Sequence, residues 1–198
     1  MDSPSVTSTT RRRGRPPAAT SDDVLREARL AFNSGRRVDA QAIAETLGIS
    51  RTSIYRWFGN RDALMGMVLG TEVGDLIDAS EVTTGSGAQR VRSTILTVCR
   101  TFVRHRGLAA YLDERQLEAV RVLTARDGHV HSVAVARIQT VIENACASAS
   151  YQPRLEPQLL AFTLVRLIEG FVYTAYDDSR VTLNSDIDQL DQVLQAIL

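Results

Sequence analysis

Three glycines constrain the first third of this chain more than any other feature. Gly35, Gly48 and Gly59 cut an apolar pattern of helical period into short pieces. Ahead of Gly35, Val24, Leu25, Ala28, Ala31 and Phe32 form one apolar stripe. Ser21 is placed to cap that helix, and Asp22 and Asp23 lie in its first turn, where carboxylates suit the helix dipole. Between Gly35 and Gly48, Asp39 can cap a second, short helix bearing Ile43, Ala44 and Leu47. Between Gly48 and Gly59, Ser50 can cap a third, with Ile54, Trp57 and Phe58 expected to face inward. A fourth helix is expected from about Arg61 through Leu64, Val68 and Leu76.

Two short helices joined at "LGIS" read as a helix-turn-helix. The turn calls for glycine at position 48, because its backbone goes to positive φ there. Ile49 plugs the angle, small Ala44 lets the two axes approach, and Ile54 reaches back to a shared core. Arg51, Thr52, Ser53 and Arg56 are then left on the outer face or at the start of the third helix, where side chains reach base edges in a major groove. Ser50 stands beside them. Tyr55 can donate its hydroxyl to a phosphate, a contact that sets register without reading sequence. On spacing alone, an ordinary helical hairpin with a polar face reads equally well.

The charge distribution bears on the same question. Formal net charge is zero, yet Met1 to Leu64 holds eleven Arg against seven acids, and the remainder holds twelve against sixteen. A basic head precedes an acidic body. The chain has no lysine, so any phosphate contact must use arginine. Met1 to Thr20 is rich in Ser, Thr, Pro and Arg and is expected to be disordered in isolation. Inside it, "RRRGRPP" looks like an AT-hook core, whose Arg11, Arg12, Arg13 and Arg15 can lie in a narrow minor groove. A solvated basic tail is the alternative.

"AIAETLGISRTSIYRWFGNRDALMGMVL" resembles the TetR family of transcriptional regulators. The likeness runs from about Ser21 to Leu69 and rests on Gly48, Ser50, Tyr55, Trp57, Phe58, Gly59, Asn60, Arg61, Asp62 and Leu64. Arg61 stands where the family usually has Lys; it can still meet a phosphate. Val38 and Asp39 stand where Thr-Thr or Thr-Ser is common, and the carboxylate of Asp39 cannot donate to a phosphate. The resemblance implies a dimer on a palindromic operator, with the fourth helix linking the head to a ligand-binding body. It also implies a repressor released from DNA when a small molecule binds.

After a turn near Thr83 to Gly87, helices are expected near Ala88–His105, Leu108–Leu112, Glu114–Ala125, Val130–Ser148, Glu156–Tyr176 and Ser185–Leu198. No stretch alternates with period two, so the chain reads as all-α. The division is a basic arm at 1–20, a helix-turn-helix head at 21–64, and a ligand-binding and dimerisation body at 65–198. Glu156–Tyr176 is apolar nearly all round and must be buried on several sides. The resemblance implies that it pairs with Ser185–Leu198 in a four-helix dimer interface, with Leu164 and Ile168 expected at the contact. A single core helix in a monomer is the alternative.

Arg166 and Glu169 sit three apart on that apolar helix. They are a buried structural pair, an interface contact or a polar anchor in a pocket. Tyr173 follows, and Phe162 precedes. Phe102, Tyr111, Leu112, Leu117 and Val120 are further pocket candidates, because the family's middle helices enclose the ligand. "LDERQLEAVRVLTARDG" is similar to a subgroup controlling enzymes that degrade acyl-lactone quorum signals. That likeness implies a mostly apolar pocket and a lactone or acyl effector.

Other classes are excluded or left unsupported. Cys99 and Cys146 lie in apolar helical patterns and read as buried free thiols of a reducing cytosol. No window approaches twenty apolar residues and no signal core opens the chain, so a soluble cytoplasmic protein is expected. His129 and His131 do not share a helix face and have no acidic or Cys partner nearby, so no metal site is expected. His105 is expected near a helix end, where a cation suits the dipole. There is no nucleophile elbow, phosphate loop or dinucleotide fingerprint, so neither enzyme activity nor a cofactor is expected. The competing reading is a DNA-binding architectural or partner-binding protein with no effector.

Overall fold

A computed structural model describes residues 19–149, 151–174 and 183–198. Among these residues the structure is all-α: α1 (Ser21–Asn33), α2 (Ala40–Leu47), α3 (Arg51–Phe58), α4 (Arg61–Ser80), α5 (Gly87–Phe102), α6 (Arg106–Thr124), α7 (His129–Ala149), α8 (Pro157–Thr174) and α9 (Leu183–Ile197).

The head forms as its punctuation dictates. Thr20, one residue before the expected Ser21, caps α1 in a reciprocal box with Asp23. The Thr20 backbone and hydroxyl, and then Arg26, hold the Asp23 carboxyl down to about 2. Asp39 caps α2 by accepting from the Gln41 N–H at 2.8 Å. Gly48 ends α2 at φ 65°, and Ser50 caps α3 by accepting from Ser53 at 3.1 Å. Gly59 turns the chain at φ 85°, and Asn60 caps α4 by accepting from Ala63 at 2.8 Å. Val24, Ala28, Phe32, Ile43, Ala44, Ile54 and Leu64 are buried together. Trp57 departs from its expected inward position. It is 37% exposed on the wall of an open cleft between the head and the α6–α7 connection. The last turn of so short a helix overhangs the core that Ile54 already fills.

Helix α4 passes from head to body and touches α1, α5, α6 and α7. Arg29 of α1 grips it through Glu72 at 2.6 Å and Asp75 at 2.5 Å. In the body, α5, α7, α8 and α9 pack around one another. Leu160, Ala161, Leu164 and Val165 of α8 are buried with Ile187, Leu190 and Leu194 of α9. Leu164 is thus wholly inside its own subunit (0% exposed), which corrects its expected place at a dimer contact. Arg92 and Asp191 form a two-pronged ion pair, 2.5 and 2.8 Å, between α5 and α9.

Where two short helices were expected, α6 is one element with a kink. Arg115, at φ −151° and ψ 58°, breaks the helical geometry. His105 does not close α5, which ends at Phe102. It sits at the N-cap of α6 and stacks on the Phe32 ring, 5.1 Å between centroids. There α1 and α6 come so close that a Cβ on Gly107 would lie 2.1 Å from the Phe32 carbonyl oxygen. Gly107→Ala must therefore push two backbones apart. Overpacking of this kind costs roughly 1–3 kcal/mol, and each kcal/mol lowers Tm by roughly 2–4 °C in a chain of this size. A thermal melt at the wild-type midpoint would show that the junction yields freely.

Candidate functional site

The outer face of α3 carries the expected reading residues together. Ser50, Arg51, Thr52 and Arg56 are exposed, and Ser53 and Tyr55 are half-buried. Buried Ile54 anchors the opposite side of the helix. The Arg51 guanidinium donates to the Tyr55 hydroxyl at 3.3 Å and lies over its ring at 5.2 Å. Ser50 and Ser53 share a hydroxyl–hydroxyl bond of 3.0 Å, so part of their capacity is used locally. Arg11, Arg12, Arg13 and Arg15 lie outside the described residues, as does the side chain of Tyr173.

Arg61 is not on that face. Its side chain is 22% exposed, and its Nη2 lies 3.6 Å from Glu114 Oε1. Both terminal nitrogens are buried without a hydrogen bond among the described residues. The kinked helix α6 brings Glu114 over the first turn of α4, and the carboxylate draws the guanidinium inward. In this conformation Arg61 therefore faces Glu114 rather than the outer face of α3. The same carboxylate lies 3.1 Å from Arg37, and Asp62 pairs with Arg121 of α6.

Five helices of the body line a cavity of about 60 Å³. Val73 and Ile77 of α4, Val98, Cys99 and Phe102 of α5, and Leu123 of α6 form one side. Val130, His131, Ala134 and Ile138 of α7 face Val165, Ile168, Glu169 and Val172 of α8. Small-molecule sites usually offer roughly 300–1,000 Å³, so a bound molecule must be small or must part these helices. Burial pushes the Cys99 thiol up to about 12, which keeps it neutral in an apolar wall.

The candidate pocket residues divide. Phe102 and Glu169 line the cavity. Phe162 and Arg166 stand behind it: Arg166 lies 5.7 Å from the Phe162 ring centroid and donates to Glu169 Oε2 at 2.6 Å and to the Thr124 carbonyl at 3.1 Å. Tyr111 and Leu112 are buried, but as core rather than lining. Val120 is half-buried against the core. Leu117 is 87% exposed and is no part of a pocket. Past the kink, Ala119, Val122 and Leu123 take the inward positions, and Leu117 is out of phase with them.

Sequence reasoning passed over His131. It is 4% exposed, and its Nδ1 lies 2.8 Å from Glu169 Oε1, thirty-eight residues away in sequence. The Phe162 ring meets it edge-on at 5.5 Å. Its Nε2 is buried without a hydrogen-bond partner among the described residues. The one available signal was a histidine at helical spacing inside an apolar run; its acidic partner is visible only once α7 and α8 pack.

An exposed helix-turn-helix face, carried on a helical body with an apolar cavity, is the architecture of a DNA-binding regulator. Residues 86–198, more than half of the chain, match the family described as tetracyclin repressor-like, C-terminal domain, and the chain belongs to the TetR family of transcriptional regulators. The fold is similar to that of the transcriptional repressor QsdR from R. erythropolis: TM-score 0.78, 21% identity, 88% of this chain and 94% of that one. A TetR transcriptional regulator from Rhodococcus sp. RHA1 follows at TM-score 0.66 and 14% identity, covering 90% of this chain and 95% of that one. AlkX from Dietzia sp. strain DQ12-45-1b, implicated in biodegradation of n-alkanes, is similar at TM-score 0.56 and 19% identity, over 90% and 97%. At these identities the likeness is one of fold. No curated protein matches the chain. Regulators of this family bind DNA and are not enzymes. Among the described residues no helix is long and apolar enough to cross a membrane.

The burial of Cys99 sets up a direct check on solvent access to the cavity wall. A neutral thiol without solvent access is inert, whereas Cys146 is half-buried. With a thiol-specific disulfide reagent at pH 8, Cys146 is expected to react in the native protein and Cys99 only after denaturation. Equal rates at both cysteines would mean that the cavity stands open.

Proposed function

We propose that the chain is a transcriptional repressor that binds a palindromic operator as a homodimer. A small, largely apolar effector held in the α4–α8 cavity releases it. The observation that carries this reading is the course of α6. Leu123 lines the cavity, while Arg121 and Glu114 on the same helix contact Asp62 and Arg61 in the first turn of α4. A molecule that parts the cavity walls displaces α6, and α6 moves the helix that follows the reader. The arm at 1–20, the head at 21–64 and the body at 65–198 are the working units of this proposal. Of the lactone or acyl class implied by Leu112–Gly128, this lining, apolar apart from His131 and Glu169, suits the hydrocarbon part.

In this reading Arg51, Thr52, Ser53 and Arg56 contact bases. Ser50 and Tyr55 contact the backbone, and Arg61 joins them only if it leaves Glu114. Arg51→Ala or Arg56→Ala is expected to weaken operator binding by roughly 1–3 kcal/mol where the side chain reads a base. Equal discrimination between operator and scrambled DNA would remove that residue from the readout. Deleting Arg11 to Arg15 is expected to flatten the salt dependence of binding, since each phosphate neutralised adds about one to the slope. An unchanged slope assigns the arm to solvent.

The dimer surface follows from what α8 leaves outside. Leu159 is 52% exposed, and Thr163, Leu167 and Phe171 continue its stripe as half-buried side chains. Leu159→Glu places a charge on that face without entering the core. Sedimentation is expected to show folded monomers; an intact dimer would move the interface elsewhere.

The small volume of the cavity favours a second reading, a helical DNA-binding architectural or partner-binding protein without an effector. A thermal-shift screen separates the two, because a selective ligand stabilises the native state by mass action.

A further inference from the structure

We propose that His131 Nε2 is the polar anchor for the effector, and that the effector is a small uncharged molecule, mostly hydrocarbon, bearing a hydroxyl or N–H donor. This rests on the reading of the cavity as the effector site and narrows the chemistry that site accepts.

Three contacts determine what Nε2 can do. Arg166 donates to Glu169 Oε2 at 2.6 Å, a pairing of guanidinium with carboxylate. A carboxylate only accepts, so its 2.8 Å contact with His131 Nδ1 requires the hydrogen to be on Nδ1. In the neutral ring the second nitrogen is then a bare lone pair. That nitrogen is buried and unpaired among the described residues, on a side chain that lines the cavity.

In the proposal the ring is neutral, the form in which Nε2 can accept. Arg166 and Glu169 cancel in charge, and among the described residues Glu169 supplies the cavity's one carboxylate. Its two oxygens are already engaged, one by Arg166 and one by His131. Buried acceptors are costly when unpaired. A hydroxyl or N–H satisfies this one. An ether, ester or lactone oxygen sets lone pair against lone pair, and a carboxylate adds charge repulsion. The site therefore discriminates by hydrogen-bond polarity, a contrast that an apolar wall alone cannot supply.

The test uses the full chain and four probes of four carbons each, which suit a narrow cavity: 1-butanol, its isomer diethyl ether, γ-butyrolactone and butyrate. Binding is followed on the methyl resonances of Ile138 and Val165, and the ring nitrogens of His131 by long-range ¹H–¹⁵N correlation. Expected are a free-protein ring protonated on Nδ1, and 1-butanol binding about tenfold more tightly than diethyl ether, one hydrogen bond's worth. The Nε2 resonance should shift with butanol alone. His131→Asn keeps a donor for Glu169 and has nothing at the Nε2 position, so it should bring butanol down to the level of the ether. A proton found on Nε2, or ether, lactone or butyrate binding as well as butanol, overturns the donor assignment while leaving the cavity as a ligand site. Methyl resonances unmoved by all four probes overturn the cavity reading itself. The spectra of the unmodified protein decide the matter even if the variant does not fold.

Discussion

The close packing of α4 against α6 and α7 is the contact on which the rest of this molecule depends. Gly66, Gly70 and Gly74 fall four residues apart, on one side of α4. A Cβ on Gly70 would lie 2.5 Å from the His129 ring, and one on Gly74 would lie 3.1 Å from Val133. Without side chains there, α4 comes close enough for Leu69, Val73 and Ile77 to be buried in the body. The first turn of the same helix places Leu64 in the head core. One rigid element thus belongs to both halves. The orientation of the reading helix is tied to whatever the body does.

The tie is reinforced by charge. Arg29 holds α1 to α4, and Asp62 and Arg61 hold the first turn of α4 to α6. Pairs that keep solvent contact contribute little each, so the packing sets the geometry and the ion pairs tune it. Arg61 marks the point where two demands meet: the same guanidinium serves Glu114 in this conformation and suits a phosphate in another. At the other end of α6, Arg166 joins the Thr124 carbonyl to Glu169, and Glu169 joins His131. A polar chain therefore runs from the cavity wall to the end of the helix that touches the head.

Much of the architecture was legible in the residues. The turn glycines, the capping Asp39, Ser50 and Asn60, and the stripe through Val24, Ala28 and Phe32 define the head, because each acts within a few residues of itself. The outer positions of α3 were legible for the same reason: once Ile54 points inward, Arg51, Thr52 and Arg56 cannot. The errors have a common cause. Trp57, Leu117 and Leu164 were placed by hydrophobicity or by likeness, and none of the three says which neighbour will cover it. The kink at Arg115 set the phase of α6 beyond it and turned Leu117 to solvent.

Sequence by itself determined an all-α chain, the punctuation of the head and the exposed outer face of α3, since caps, turns and helical period are local interactions. Tertiary structure alone decided where the body keeps its polar chemistry. His131 and Glu169 are thirty-eight residues apart, and Arg61 and Glu114 more than fifty; neither pair leaves a trace in local pattern. Those contacts exist because α7 meets α8, and because a kinked α6 crosses the start of α4. Burial then leaves the Nε2 of an ordinary histidine without a hydrogen-bond partner, on a side chain of an apolar cavity wall, among the described residues.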